Sequence, residues 1–503
     1  MTLHLDIVSA MDNPKLFRSS FAGPTWDPWR CILKGAFCLL MTEDEREFFR
    51  SVAARDPPTK RVRELWIVAG RRAGKDSVAS LILAHVAAFF NKRNRLRSGE
   101  IALCLALACD RDQAKIVLNY TKGYFREIPA LKKLVRRETP IGLELNNGVE
   151  IATGTNSYRS VRGRPILCAV LDEAAFYRDE TSAFADEATY AALIPGMATL
   201  APDAMLIGIS TPYRKSGLLY RKFSDHYGKA SDDVLVIKAP TRMLNPTIDQ
   251  SIIDDALLED PAGAAAEWLA EFRDDISGWA TRELIEQAVD RDVMVRPPRE
   301  GIIYFAFVDG SGGMHDSYCA AVAHQENGVA ILDCLIEIKP PYNHDSATAQ
   351  IAAMFKQYRC TSVIGDHYSG EWIVQAFAKC GITYRHSDRN RSKIYIDCLP
   401  LFTTGRAHIL DNRRLVTQFY SLERKTTASG DKVDHGPGGH DDCANVVAGA
   451  MVLATAIKLD VVPIVAPIIV GHPLTIPGGT VSTEAAWREW TYGGGNRNFW
   501  GPA

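Results

Sequence analysis

An excess of charge of either sign is missing from this chain: 58 Lys and Arg stand against 60 Asp and Glu, a formal net charge of −2. That balance excludes a global basic field for holding a polyanion, so any contact with nucleic acid must come from local patches. Basic patches occur at Lys92-Arg-Asn-Arg-Leu-Arg97, Lys132-Lys-Leu-Val-Arg-Arg137 and Arg385 to Lys393, although a solvated face explains each on its own. Long apolar runs are also missing. No stretch of about 18 apolar residues is available to cross a bilayer. The opening Met1-Thr-Leu-His-Leu-Asp6 has neither the basic start nor the apolar core of a signal peptide, so neither a membrane partner nor secretion is expected. Paired cysteine spacings are lacking too, and the 11 cysteines fall mostly inside apolar patterns, as reduced core residues of a cytosolic protein do.

At 503 residues and 47% hydrophobic composition the chain is globular and too long for one core, which implies two or three domains. In the first half, strand and helix patterns alternate as in a parallel α/β domain. Leu65-Trp-Ile-Val-Ala69 reads as a buried strand, Ser77 to Phe90 as an apolar helix, and Ile101 to Ala108 as a second strand. Gly148 to Ala152, an acid-tipped strand ending at Asp172, and Met205 to Pro212 follow. Polar chemistry at the strand ends places Gly-Lys, Asp-Glu and Ser-Thr on one sheet edge, where open α/β folds bind ligands.

The turn Ala69-Gly70-Arg71-Arg72-Ala73-Gly74-Lys75-Asp76-Ser77 is phosphate-loop-like. Glycine lets backbone N–H groups approach phosphates closely, and a mobile lysine reaches the β/γ oxygens. Two positions depart from the usual pattern: Ala69 replaces the first Gly, and Asp76 stands where a Ser or Thr hydroxyl would meet Mg²⁺. A carboxylate at Asp76 can ligate the ion; Ser77 is a poor substitute because one residue is about 100° around a helix. The run Ile166-Leu-Cys-Ala-Val-Leu-Asp172-Glu173 supplies the other half. Asp172 is expected on Mg²⁺ and Glu173 on the water that attacks the γ-phosphate of ATP.

Farther along, Gly301-Ile-Ile-Tyr-Phe-Ala-Phe-Val-Asp309 and Ser362-Val-Ile-Gly-Asp366 are apolar runs that also end on acids, and Asp441-Asp442 lies in Gly-Gly-His440-Asp-Asp. Unpaired acids at the ends of buried strands are costly without a cation. Acids from distant segments are what two-metal phosphodiester cleavage needs: Asp309 bridging two Mg²⁺ or Mn²⁺ ions, Asp366 completing one site, and Asp441 or Asp442 the other. An N-cap role is the alternative for either of the last two. Asp316, His367 and His440 are secondary candidates, with turn or surface roles as alternatives.

The doubled arginine Arg71-Arg72, the upstream Trp26-Asp-Pro-Trp29-Arg30 and Met41 to Phe49, Ser160-Val-Arg-Gly-Arg164, and Ser210-Thr-Pro212 together resemble the large terminase subunit of tailed bacteriophages or related prophage and gene-transfer particles. The resemblance runs over most of residues 20–455. It implies a RecA-like P-loop ATPase domain followed by a ribonuclease-H-like nuclease domain, and hence a DNA-translocating ATPase and metal-dependent endodeoxyribonuclease. Double-stranded DNA, a portal protein and a small terminase subunit would be its partners, with a homo-pentamer on the prohead in the host cytoplasm. Arg162 becomes a candidate arginine finger, with Arg164, Arg71 and Arg72 as competitors; Trp26 and Trp29 are either nucleotide contacts or core anchors. The expected domains are 1–277 (motor), 278–300 (linker), 301–458 (nuclease) and 459–503, a Pro/Gly-rich tail that either docks on the portal or straps the nuclease. A repair helicase-nuclease and a non-catalytic assembly scaffold are the competing classes.

Overall fold

A computed structural model describes residues 5–91, 96–97, 99–108, 111–155, 163–177, 185–310, 317–365, 371–427, 430–436 and 439–456. Residues 1–456 form one compact unit. Its first half is built on β1 (Glu64–Ala69), β2 (Ala102–Ala108), β3 (Val135–Thr139), β4 (Gly142–Leu145), β5 (Val149–Thr155), β6 (Ile166–Asp172), β7 (Met205–Ser210) and β8 (Val234–Ala239). They make one sheet in the order β3-β4-β5-β2-β6-β7-β1-β8, parallel except at the β3–β4–β5 edge. Strands β2, β6 and β7 are buried at every residue. That is why they read as continuous apolar runs: helices cover both faces of a parallel sheet. Strand β7 lies between β1 and β6, so the end of β7 brings Ser210 between the glycine-rich turn and the acids Asp172 and Glu173.

The second half adds β9 (Ile276–Gly278), β10 (Val289–Asp290), β11 (Tyr304–Asp309), β12 (Tyr318–Glu326), β13 (Val329–Ile338), β14 (Ser362–Gly365), β15 (Thr383–His386), β16 (Ala407–Leu410), β17 (Leu422–Thr427) and β18 (Gly430–His435). Seven of them order as β10-β16-β13-β12-β11-β14-β15. The β11–β12–β13 meander is antiparallel, while β14 runs parallel to β11 and β15 to β14. This is the strand order of a ribonuclease-H-like sheet. Alternation with period two splits its core: Phe307, Cys319 and Ala321 face the helix Asp442–Ala456, whereas Ala306, Val308 and Ala320 face the helix His344–Gln357.

The helix Asp442–Ala456 is buried over nearly its whole length. Its small residues let it approach the sheet closely; a Cβ at Gly449 would come within 2.5 Å of the Phe307 ring. Residues 278–300 carry the helix Arg282–Ala288 and β10, and Trp279 stacks on Phe419 at 5.3 Å and donates to the Tyr395 carbonyl at 3.0 Å. The two halves meet where Tyr213 Oη donates to Glu423 at 2.7 Å and Arg214 pairs with the same carboxylate at 3.3 Å. The tail 459–503 lies outside the described residues.

Gly449→Val should lower stability by roughly 1–3 kcal/mol, the usual cost of overpacking a filled core. Urea melts of the two proteins check this; an unchanged midpoint would mean that the helix slides off Phe307 without cost.

Candidate functional site

The glycine-rich turn runs from the end of β1 into the helix Lys75–Phe89. Ala69, the first departure from the usual pattern, is the last residue of β1 and pairs with Ala239, so no glycine is needed there. The crowded position is the next one: a Cβ on Gly70 would lie 2.2 Å from Thr241 Oγ1 and 2.7 Å from the Trp268 carbonyl. Gly74 has φ +89° and Arg72 has φ +62°, the left-handed conformations that let the chain double back onto a helix start.

Side chains from outside the turn fix its peptide planes. Thr241 Oγ1 donates to the Arg71 carbonyl, Asn245 Nδ2 to the Arg72 carbonyl and Trp29 Nε1 to the Ala73 carbonyl, each at 2.8 Å. In a planar trans peptide the N–H points opposite to the C=O. Tying these carbonyls outward therefore turns the N–H groups of Arg72, Ala73 and Gly74 to the other side, as an anion requires. Trp29 is fully buried and acts here as the loop's anchor. Arg71 pairs with Glu267, and Arg72 is exposed.

Lys75 is buried, and its Nζ lies 3.0 Å from Glu173 Oε1. The other Glu173 oxygen accepts from Ser210 Oγ at 2.9 Å and from the Thr211 N–H at 3.3 Å. Glu173 itself is left-handed, with φ +49°, which turns it off the end of β6 toward Lys75. Asp172 is 4% exposed and its Oδ1 has no hydrogen-bond partner among the described residues. Burial, reinforced by the Asp76 and Glu173 carboxylates and opposed by Lys75, pushes Asp172 up to about 8. Asp76 is likewise raised, first by burial. Three carboxylates around one lysine, with a buried carboxylate oxygen left unbonded, fit a divalent cation; Asp76 and Asp172 are the residues that would hold it. Ser77 follows Asp76 in the same helix, and Arg162 lies outside the described residues.

The second site sits at the end of β11. Asp309 Oδ2 accepts from Asn445 Nδ2 at 2.7 Å and lies 3.9 Å from Arg391 Nη2. Arg391 Nη1 reaches Asp441 Oδ1 at 3.0 Å, while Tyr395 Oη donates to Asp441 Oδ2 at 2.8 Å. Asp309 and Asp441, from segments far apart in sequence, thus converge on one guanidinium. Asp441 precedes the helix Asp442–Ala456, yet Gln418 Oε1 from a neighbouring helix accepts the Ala444 N–H at 3.0 Å. That is one of the N–H groups an N-cap side chain would take. Asp442, largely buried, is the first residue of the helix. Val308 pairs with Gly365 across β11 and β14; Asp366, Asp316 and His367 lie outside the described residues. His440 is exposed. Carboxylates drawn together around a cation fit divalent ions, and Asp309 and Asp441 would hold them.

Thr241, Asn245, Arg391, Tyr395 and Asn445 were not singled out from sequence as site residues. Asn445 was accessible, one helical turn from Asp441 on the same face. Of the basic run 385–393, Arg389 and Lys393 both pair with Asp397, at 2.8 and 2.9 Å, and only Arg391 enters the site.

A sequence family described as "Uncharacterized protein MJ0330, N-terminal P-loop domain" matches residues 39–269. No curated protein sequence matches the chain. Among solved structures, the chain is similar to the large terminase of bacteriophage HK97, at 16% identity over 82% of this chain and 95% of that one, with a TM-score of 0.36. It is also similar to the large terminase of the thermophilic bacteriophage D6E in complex with ADP, at 12% identity over 78% and 93%, TM-score 0.33. The large terminase nuclease of the thermophilic phage G20c with bound magnesium matches at 19% identity over 33% and 94%, TM-score 0.29.

Folded Asp172 keeps its proton up to about pH 8, whereas an unfolded aspartate releases it near the ordinary value of 3.8. The folded chain therefore binds more protons across that window, and without Mg²⁺ its stability falls as pH rises through it. Asp172→Asn removes this penalty. Thermal melts without Mg²⁺ should place the variant above wild type at pH 8 and level with it near pH 4; a lower midpoint at pH 8 would contradict the assignment. The chain's first half is a P-loop domain and its second carries a ribonuclease-H-like sheet.

Proposed function

We propose that this chain is the motor and nuclease of a viral DNA-packaging machine, using ATP to drive double-stranded DNA into a prohead and a two-metal site to cut it. The observation that carries this reading is the presence, in one compact unit, of a phosphate-loop site built on Lys75 and Glu173 and a separate acid site built on Asp309 and Asp441. In the first, Gly70 to Gly74 hold the phosphates of ATP, Lys75 reaches the β/γ oxygens, and Asp172 with Asp76 binds Mg²⁺. When phosphate claims Lys75, Glu173 is released from its ion pair and orients the attacking water, while Ser210 and Thr211 register the change. Arg162, from a neighbouring subunit, stabilises the developing charge.

In the second site Asp309, Asp366, Asp441 and Asp442 would hold two Mg²⁺ or Mn²⁺ ions, which would supply activation of water and stabilisation of the leaving oxygen. The partners of this reading are double-stranded DNA, a portal, a small terminase subunit and sister copies in a pentameric ring. A repair helicase-nuclease would need a second motor sheet. Between residues 216 and 301, the described residues add β8 to the first sheet, together with short helices and the two- and three-residue strands β10 and β9.

Lys75→Ala and Glu173→Gln should each abolish ATP hydrolysis, the second while still binding ATP, because lysine acts on bound phosphate and glutamate on water. Turnover at the wild-type rate by either variant would remove the motor assignment. Asp309→Ala and Asp366→Ala should eliminate metal-dependent cleavage of plasmid DNA while DNA-stimulated ATPase activity persists; cleavage surviving both would remove the nuclease assignment. Stimulation of the ATPase by portal-bearing proheads, beyond that by DNA alone, separates packaging from repair.

A further inference from the structure

We propose that Arg391 is the resident counter-cation of the acid site, a positioning residue that holds Asp309 and Asp441 together until divalent ions displace its guanidinium. This rests on reading the site as a two-metal centre. The side chains of Asp309 and Asp441 are only 13% and 2% exposed, so solvent screens their repulsion poorly. A guanidinium at 3.0 Å from one and 3.9 Å from the other places positive charge between them.

The anchoring around Arg391 is asymmetric. Its backbone is fixed: Asn390 caps the helix Arg391–Thr403 through the Lys393 N–H, and Ser392 Oγ accepts the Val433 N–H at 2.8 Å. Its side chain, by contrast, is 35% exposed, so the head group can leave while the stem stays. The remaining contacts do not leave with it. Tyr395, fully buried one turn along the same helix, keeps Asp441 Oδ2, and the fully buried Asn445 keeps Asp309 Oδ2. The carboxylates thus stay aimed when the guanidinium departs, and metal and arginine compete for the same oxygen lone pairs. Metal affinity is set below what the acids alone would give, and the site stays closed to adventitious ions.

The test is calorimetric titration of Mn²⁺ into the full chain without nucleotide or DNA, in an Asp172→Asn background that silences the first site. Arg391→Gln should bind Mn²⁺ about tenfold more tightly or better, as expected when a cation at this range is removed from a poorly screened site. Arg391→Lys, which keeps the charge without the fork, should fall between. A merely structural arginine would give the opposite sign, because disordered acids bind metal more weakly. Melts run alongside should show a lower midpoint for Arg391→Gln without Mn²⁺ and a larger gain on adding it. Equal or weaker Mn²⁺ binding by Arg391→Gln, while Asp309→Ala abolishes binding, would overturn the role of Arg391 alone. Mn²⁺ binding untouched by Asp309→Ala would instead overturn the two-metal reading beneath it.

Discussion

Carboxylates crowded at strand ends and helix starts around a shared cation are the constraint on which both sites depend. Asp76, Asp172 and Glu173 share Lys75; Asp309 and Asp441 share Arg391. At effective dielectric constants of about 20, two like charges some 4 Å apart repel by several kcal/mol. Such clusters persist only where the fold holds them and a cation is available. In each case the shared cation sits on a side chain 3.0 Å from a carboxylate oxygen. The rest of the architecture positions acids that would otherwise separate.

Sheet topology does the coarse positioning. Strand β7 inserted between β1 and β6 puts Ser210 against Glu173, and the register of β11 with β14 brings two strand ends to one edge. Side chains outside each site do the fine positioning. Thr241, Asn245 and Trp29 fix the peptide planes of the phosphate loop, while Tyr395 and Asn445 fix the two carboxylates of the acid site. Gln418, by taking the Ala444 N–H, satisfies the helix start that Asp441 would otherwise cap and leaves that carboxylate for the site. These supports come from helices and loops packed around the strand ends.

Much of the fold was legible in sequence because parallel strands are buried on both faces and show as apolar runs, with chemistry concentrated where those runs end. Strands β1, β2, β6 and β7 could all be read this way, and β11, though part of an antiparallel meander, showed as an apolar run ending on Asp309. Strands β10 and β16 could not: with two and four residues, they carry too short a pattern. The Ala69 departure looked like a weakened phosphate loop in sequence, yet the steric demand falls on Gly70, against Thr241. The support from Thr241 and Asn245 was invisible because it bridges about 170 residues of chain. Arg391 was masked by its neighbours, since a basic run does not reveal which member faces a surface carboxylate and which faces a buried one.

The most direct measurement is the ATP-dependent protection of DNA from added nuclease by portal-bearing proheads supplied with this chain. Wild-type protein should protect DNA only with hydrolysable ATP, and Asp309→Ala should protect DNA that already has ends while failing to cut longer concatemers. ATP hydrolysis that proceeds at full rate with no DNA protected would contradict a packaging motor.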